Sequence, residues 1–125
     1  MLKEQTFAVL EKASGVAPDK VLHKLESIIA PSDIGIITSE ARIKKTVRAL
    51  EGVESEHFPS IEARDVHDLV KAHEARNFAL VAKLTYAVSL GKKETRYCHY
   101  REDYPYQDDK AVEVTAVFPL PRLAF

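Results

Sequence analysis

The chain is predicted to be all-α: a three- to four-helix bundle with one long helix over about residues 61–90 and an irregular C-terminal arm. Three observations carry this. Apolar residues recur at helical spacing through most of the chain before residue 91. Between residues 61 and 90 that spacing is held over about 30 residues, roughly 45 Å of helix. Beyond Gly91 the period is lost, and four of the five tyrosines crowd with charged residues into ETRYCHYREDYPYQDD, residues 94–109.

In order, LKEQTFAVLEKA (2–13) places Leu2, Thr6, Val9, Leu10 and Ala13 on one stripe, closed by Ser14 and Gly15. Pro18 suits the first turn of a second helix, with Asp19 at its positive end. Val21, Leu22, Leu25, Ile28 and Ile29 form its apolar face, and Ala30-Pro31 stops it. SDIGII (32–37) reads as a loop or a very short strand. Thr38 or Ser39 then caps a third helix, with Ile43, Val47 and Leu50 inward and Gly52 as terminator. Residues 53–60 are expected to connect to the long helix, capped by Ser60. Its predicted inward stripe is Val66, Leu69, Val70, His73, Asn77, Leu80, Val81, Leu84, Ala87 and Val88, and Gly91 ends it. Val112, Val114 and Ala116 alternate like a strand, and FPLPRLAF is expected to lie extended.

At 125 residues the chain is expected to form a single helical domain, with 1–90 as the bundle and 91–125 as a tyrosine-rich docking arm. Hydrophobic residues make up 46%, enough for a core. With 18 basic against 19 acidic residues there is no field to favour nucleic acid, and no basic amphipathic run to favour a membrane surface. The single cysteine, Cys98, forbids an internal disulfide, and no apolar run reaches the roughly 20 residues of a membrane span. Residues 1–12 are too charged for a signal peptide. The expectation is a soluble, cytoplasmic chain.

Specific chemistry is sparse. His73 and Asn77 stand one turn apart on the stripe expected to be buried, where polar groups need partners. They either line a site or bond a neighbouring loop, and the second is favoured. Cys98 and His99 are adjacent, and the other histidines are scattered, so no zinc-like spacing arises. A Cys98 nucleophile with His73 and His99 would require a pocket joining the long helix to the arm. The glycines Gly15, Gly35, Gly52 and Gly91 are too far apart for a phosphate-cradling loop. Arginines, carboxylates and tyrosines together suit an interface as much as an active site.

The run HEARNFALVAKLTYAVSLGKKETRYCHYREDYPYQDD resembles the C-terminal helical domain of the fumarate reductase/succinate dehydrogenase flavoprotein family, to which L-aspartate oxidase and the adenylylsulfate reductase flavoprotein belong. That family has a long helix with an asparagine, then a segment like R-x-E-S-R-G-x-H-x-R-x-D-Y-P and an Asp-Asp pair. Asn77 matches the asparagine; Glu94, Arg96, His99, Arg101, Asp103, Tyr104, Pro105, Asp108 and Asp109 match the later segment. Thr95 stands for the usual serine and Tyr97 for the usual glycine, and no tryptophan follows the Asp-Asp pair. The branch, and with it the substrate, stays open.

The family's FAD-binding and substrate-capping regions, which hold its hydride-transfer site, have no counterpart here. The resemblance therefore implies a helical part of an FAD-dependent oxidoreductase, with no catalytic, cofactor-binding or metal-ligating residue of its own and with FAD in the partner. Its implied partner is an FAD-binding flavoprotein chain or domain, with an iron–sulfur subunit as a further candidate. No nucleic-acid partner and no membrane insertion are expected, and a homo-oligomer is expected in isolation. The expected docking residues are Glu94, Arg96, His99, Arg101, Asp103, Tyr104, Asp108 and Asp109. The alternative is a free-standing helical interaction module without flavin chemistry.

Overall fold

The computed structural model describes residues 2–11, 14–31 and 37–110. The alternating piece at 112–116 and the proline-rich tail lie outside the described residues. Among the described residues the fold is mostly helical, with three main helices, a short N-terminal helix and a small two-stranded sheet.

Helix α1 (Leu2–Phe7) passes into a 3-10 turn over Ala8–Glu11, earlier than the helix expected to residue 13. Helix α2 (Pro18–Ile29) begins where Pro18 supplies the fixed φ of a first helical residue, and it buries Pro18, Val21 and Leu25. Strand β1 (Ile37–Thr38) lies in the segment read as loop or short strand. Helix α3 (Glu40–His57) is capped by Ser39, whose side chain accepts from the Arg42 amide.

Helix α3 corrects one expectation. It does not stop at Gly52 but runs through it to His57, followed by a 3-10 turn at Phe58–Ser60. A Cβ at Gly52 would meet nothing within 4 Å, so this glycine answers to no turn. Burial of Leu50 and Val53 on either side carries the helix past it. The long helix α4 (Val66–Gly91) likewise starts later than expected. Its cap is Asp65, whose carboxylate accepts from the Asp68 amide at 2.8 Å, rather than Ser60. The residues before it are extended and inward: Ile61 and Ala63 are buried.

The three main helices pack on one another around Val21, Leu25, Ile43, Leu50, Ile61 and Leu69. The seam of α4 is made of small residues: Ala72, Ala75, Ala79 and Ala82 are buried, with Tyr86 one turn on. Spacings of three and four put these on one stripe, and small side chains let helix backbones come close. This overturns the predicted inward stripe. Leu69 is buried, but Val66, Val70, Val81 and Val88 are exposed, as are Asn77 and Ala87.

The loop before Pro18 is fixed by a short parallel pairing. The Val16 amide donates to the Ser60 carbonyl at 2.8 Å, and the Glu62 amide donates to the Val16 carbonyl at 3.1 Å. Gly15 is required there, since a Cβ would stand 2.2 Å from the Ser60 carbonyl oxygen.

Candidate functional site

After Gly91, residues 92–110 turn back onto the ends of the helices. Strand β2 (Tyr100–Arg101) pairs in parallel with β1, Ile37 opposite Tyr100 and Thr38 opposite Arg101. The Glu102 amide donates to the Thr38 carbonyl at 2.8 Å, and Arg42 pairs with Glu102 at 3.2 Å. Thr95 organises the returning loop. The Arg101 amide donates to its hydroxyl oxygen at 2.9 Å, and that hydroxyl donates towards the Tyr104 carbonyl at 2.9 Å and the Arg101 carbonyl at 3.2 Å.

Arg101 is fully buried. Its Nη1 donates to the carbonyls of Ser89 at 2.6 Å, Lys92 at 3.2 Å and Leu90 at 3.5 Å. These are oxygens at the C-terminus of α4, which a helix leaves without internal donors, and a cation there also meets the negative end of the helix dipole. The other edge of the guanidinium forks onto Asp103, with Nε to Oδ1 at 2.7 Å and Nη2 to Oδ2 at 2.6 Å. Asp103 Oδ2 accepts in turn from the Glu40 amide at 2.9 Å, at the N-terminus of α3. One ion pair thus joins the end of one helix to the start of another. The Arg101 guanidinium and the Glu40 amide hold the Asp103 carboxyl well below the usual carboxylate range. Tyr104 packs on this pair, its ring centroid 5.1 Å from the guanidinium carbon, and meets Tyr106 edge-on at 6.4 Å.

A second network lies beside it. Glu94, 5% exposed, accepts from Arg96 Nη2 at 3.1 Å and from the Asp108 amide at 2.9 Å. Arg96 also reaches Asp109 at 2.9 Å. The hydrogen bond from Arg96, then that from the Asp108 amide, lowers the Glu94 pKa. Between the networks, Arg96 and His99 exchange amide–carbonyl bonds of 3.0 Å across a tight turn with Tyr97 at its corner. Tyr97 has φ 54°, the left-handed region, and its side chain is 92% exposed. The structure thereby explains why a glycine would be at home here.

These contacts sort the expected docking residues by how far each is engaged within the chain. Arg101 is buried against the end of α4 and Asp103 accepts at the start of α3, so this pair binds the arm to the bundle, while Glu94 is buried among partners within the arm itself. Arg96 is largely occupied by Glu94 and Asp109. Asp108 and Asp109 are exposed, and Tyr104 and His99 are half-buried. The outward surface is instead Tyr97, Cys98, Tyr100, Tyr106 and the acidic pair. Of the two polar residues expected to be buried, Asn77 is exposed. His73 is half-buried, and its Nε2 lies 3.1 Å from the Thr6 carbonyl, which belongs to helix α1 rather than to a loop.

His73, Cys98 and His99 do not meet. His73 lies against α1, about 27 Å along the helix from Gly91 at 1.5 Å per residue. Burial, then the Lys92 and Arg101 charges, pushes the His99 imidazole pKa down. Two residues carry unpartnered buried polar atoms among the described residues, His99 at Nε2 and Thr38 at Oγ1. Thr38, a candidate cap in the sequence, and Thr95, named there only as standing for a serine, have roles in the β1–β2 pairing and the returning loop that depend on contacts between distant segments. Among the described residues no group of three or more His, Cys, Asp or Glu could hold a metal ion. No helix there is long and apolar enough to cross a membrane.

Residues 23–121 match the family model described as fumarate reductase flavoprotein C-terminus. An FAD-dependent oxidoreductase of Methanocaldococcus jannaschii is 28% identical over 106 residues, 82% of this chain and 20% of that protein. A chloroplastic L-aspartate oxidase of Oryza sativa subsp. japonica is 30% identical over 89 residues, 69% of this chain and 14% of that protein. The fold superposes on adenylylsulfate reductase of Archaeoglobus fulgidus with a TM-score of 0.77 at 23% identity, over 87% of this chain and 20% of that one. An adenosine-5-phosphosulfate reductase in complex with sulfite gives 0.76 at 24% identity, with the same coverage. The chain thus spans about a fifth or less of the length of these relatives.

Proposed function

The chain belongs to the family of fumarate reductase flavoprotein C-terminal domains, and from that premise we propose that it is the helical part of an FAD-dependent oxidoreductase, packing on a separate FAD-binding chain. In this reading it is not catalytic alone. The bundle and arm form one unit, and the flavin and the hydride chemistry reside in the partner. The observation that carries it is the family match over most of a chain that corresponds to a fifth or less of its relatives.

The arm contributes in two layers. Arg101 and Asp103 hold it against the helix ends, and Glu94 ties its two flanks together through Arg96 and the Asp108 amide. That rigidity presents Tyr97, Tyr100 and Tyr106, which supply large contact area with few rotatable bonds. Asp108 and Asp109 are available at the same end for charged hydrogen bonds to the partner. Left-handed backbone at a nearly fully exposed tyrosine is a local cost that packing among the described residues does little to offset. A partner that covers Tyr97 supplies that contact.

A tagged chain recovered from its native cell tests the reading. Co-purification of a larger chain with a flavin absorbance spectrum is expected. A colourless preparation without partner would reject it in favour of a free-standing interaction module.

A further inference from the structure

The second half of α4 has a composition that the bundle does not explain. From Asn77 to Gly91 it reads NFALVAKLTYAVSLG, with one charged residue, Lys83. That lysine is turned towards α3, where its ammonium pairs with Glu54 at 2.6 Å. Hence none of the outward positions over these four turns carries a charge. A surface helix of a bundle is apolar on one stripe and charged on the other, whereas a helix apolar all round is buried all round. Here one side is sealed by Ala79, Ala82 and Tyr86, while Val81 is 61% exposed and Val88, two turns on, is 51% exposed.

The open side also has shape. Ile29, Phe78, Val81, Ala82, Thr85 and Tyr86 line an apolar cleft of about 190 Å³ between the end of α2 and α4. That is below the roughly 300 Å³ at which small-molecule sites begin, and it suits an inserted side chain. We infer that this cleft, with Val81 and Val88, is a docking face of α4 for the FAD-binding chain, which inserts an apolar side chain beside Val81. The inference rests on the function proposed above and names a surface of this chain for it. The occupant follows from two facts. The face offers no charge to an acidic or basic partner, so its complement is apolar protein surface. The family relatives carry most of their length outside the part matched here, so in them a large protein surface accompanies this part. Asn77, one turn before Val81 on the same face, offers an exposed amide to the rim.

The test uses the native complex recovered on tagged full-length chains: wild type, Val81→Glu, and Val66→Glu as a control exposed valine outside the cleft. Flavin recovered per tagged chain and the thermal midpoint of the chain alone are both measured. Val81→Glu would bury an unpaired carboxylate at the interface, so recovered flavin is expected to fall about tenfold or more. The midpoint should not change, and Val66→Glu should behave as wild type. Wild-type recovery by Val81→Glu overturns the docking face while leaving the flavin-partner reading intact. If wild type itself recovers no flavin chain, that reading fails and the inference with it. Two further results overturn the occupant. In one, Val81→Glu converts an isolated dimer to monomer without loss of flavin, so a second copy sits there. In the other, a chain ending at Lys110 binds the flavin chain more tightly than wild type while Val81→Glu has no effect, so the tail sits there.

Discussion

Arg101 carries a full charge without exposed surface, which is tolerable because carbonyls and a carboxylate surround its fork. A lysine could reach the carbonyls or Asp103, but it lacks the planar geometry to hold both. Arg101→Lys is therefore expected to lower unfolding free energy by about 1–2 kcal/mol, and Arg101→Ala by about 2–4 kcal/mol. Denaturant titration measures both, and hydrogen exchange should rise first at the last turn of α4. The acid limb follows from the carboxylates. Asp103 and Glu94 have folded pKa values below their unfolded ones. Their contribution is then present above the unfolded pKa and is lost as pH falls, because the unfolded chain binds the protons more readily. The thermal midpoint should be level near neutrality and decline below about pH 4. Asp103→Asn should flatten that decline, and an unchanged decline would remove Asp103 from the account. At Tyr97, glycine would relieve the left-handed backbone and raise stability by up to about 1 kcal/mol, measured by the same titration.

Two glycines separate close approach from helix interior. Gly15→Ala places a methyl against the Ser60 carbonyl and should cost about 1–3 kcal/mol. Gly52→Ala has open space in an exposed turn of α3 and should stabilise by about 0.5–1 kcal/mol. Thermal denaturation of the pair decides whether the α3 boundary drawn here is right. The starts of α2 and α3 were legible because Pro18 and Ser39 act locally. Gly52 misled because helix propensity is weak beside the burial of Leu50 and Val53. The face of α4 misled for a different reason. Hydropathy picks out valines and leucines, but the bundle seats alanines where its backbones come close, and the larger residues fall outside. Those valines still carry information, since apolar residues held at helical spacing on an open face need a second explanation. In the arm, sequence located the unusual segment but not its direction. Nothing local to Arg101 or Glu94 reveals that they point inward, because their partners lie at helix ends and turns formed only on folding.

At the scale of the whole molecule, the helices form a base, the Arg101–Asp103 pair closes one end, uncharged surface remains on the second half of α4, and exposed tyrosines stand beside the acidic pair on the arm. That distribution fits a part whose working surroundings are protein. We propose that these surroundings are an FAD-binding chain. Native mass spectrometry of the complex purified from its own cell tests it most directly. An assembly containing this 14.0 kDa chain, a larger chain and FAD is expected. The chain alone, or with partners that carry no flavin, would contradict it.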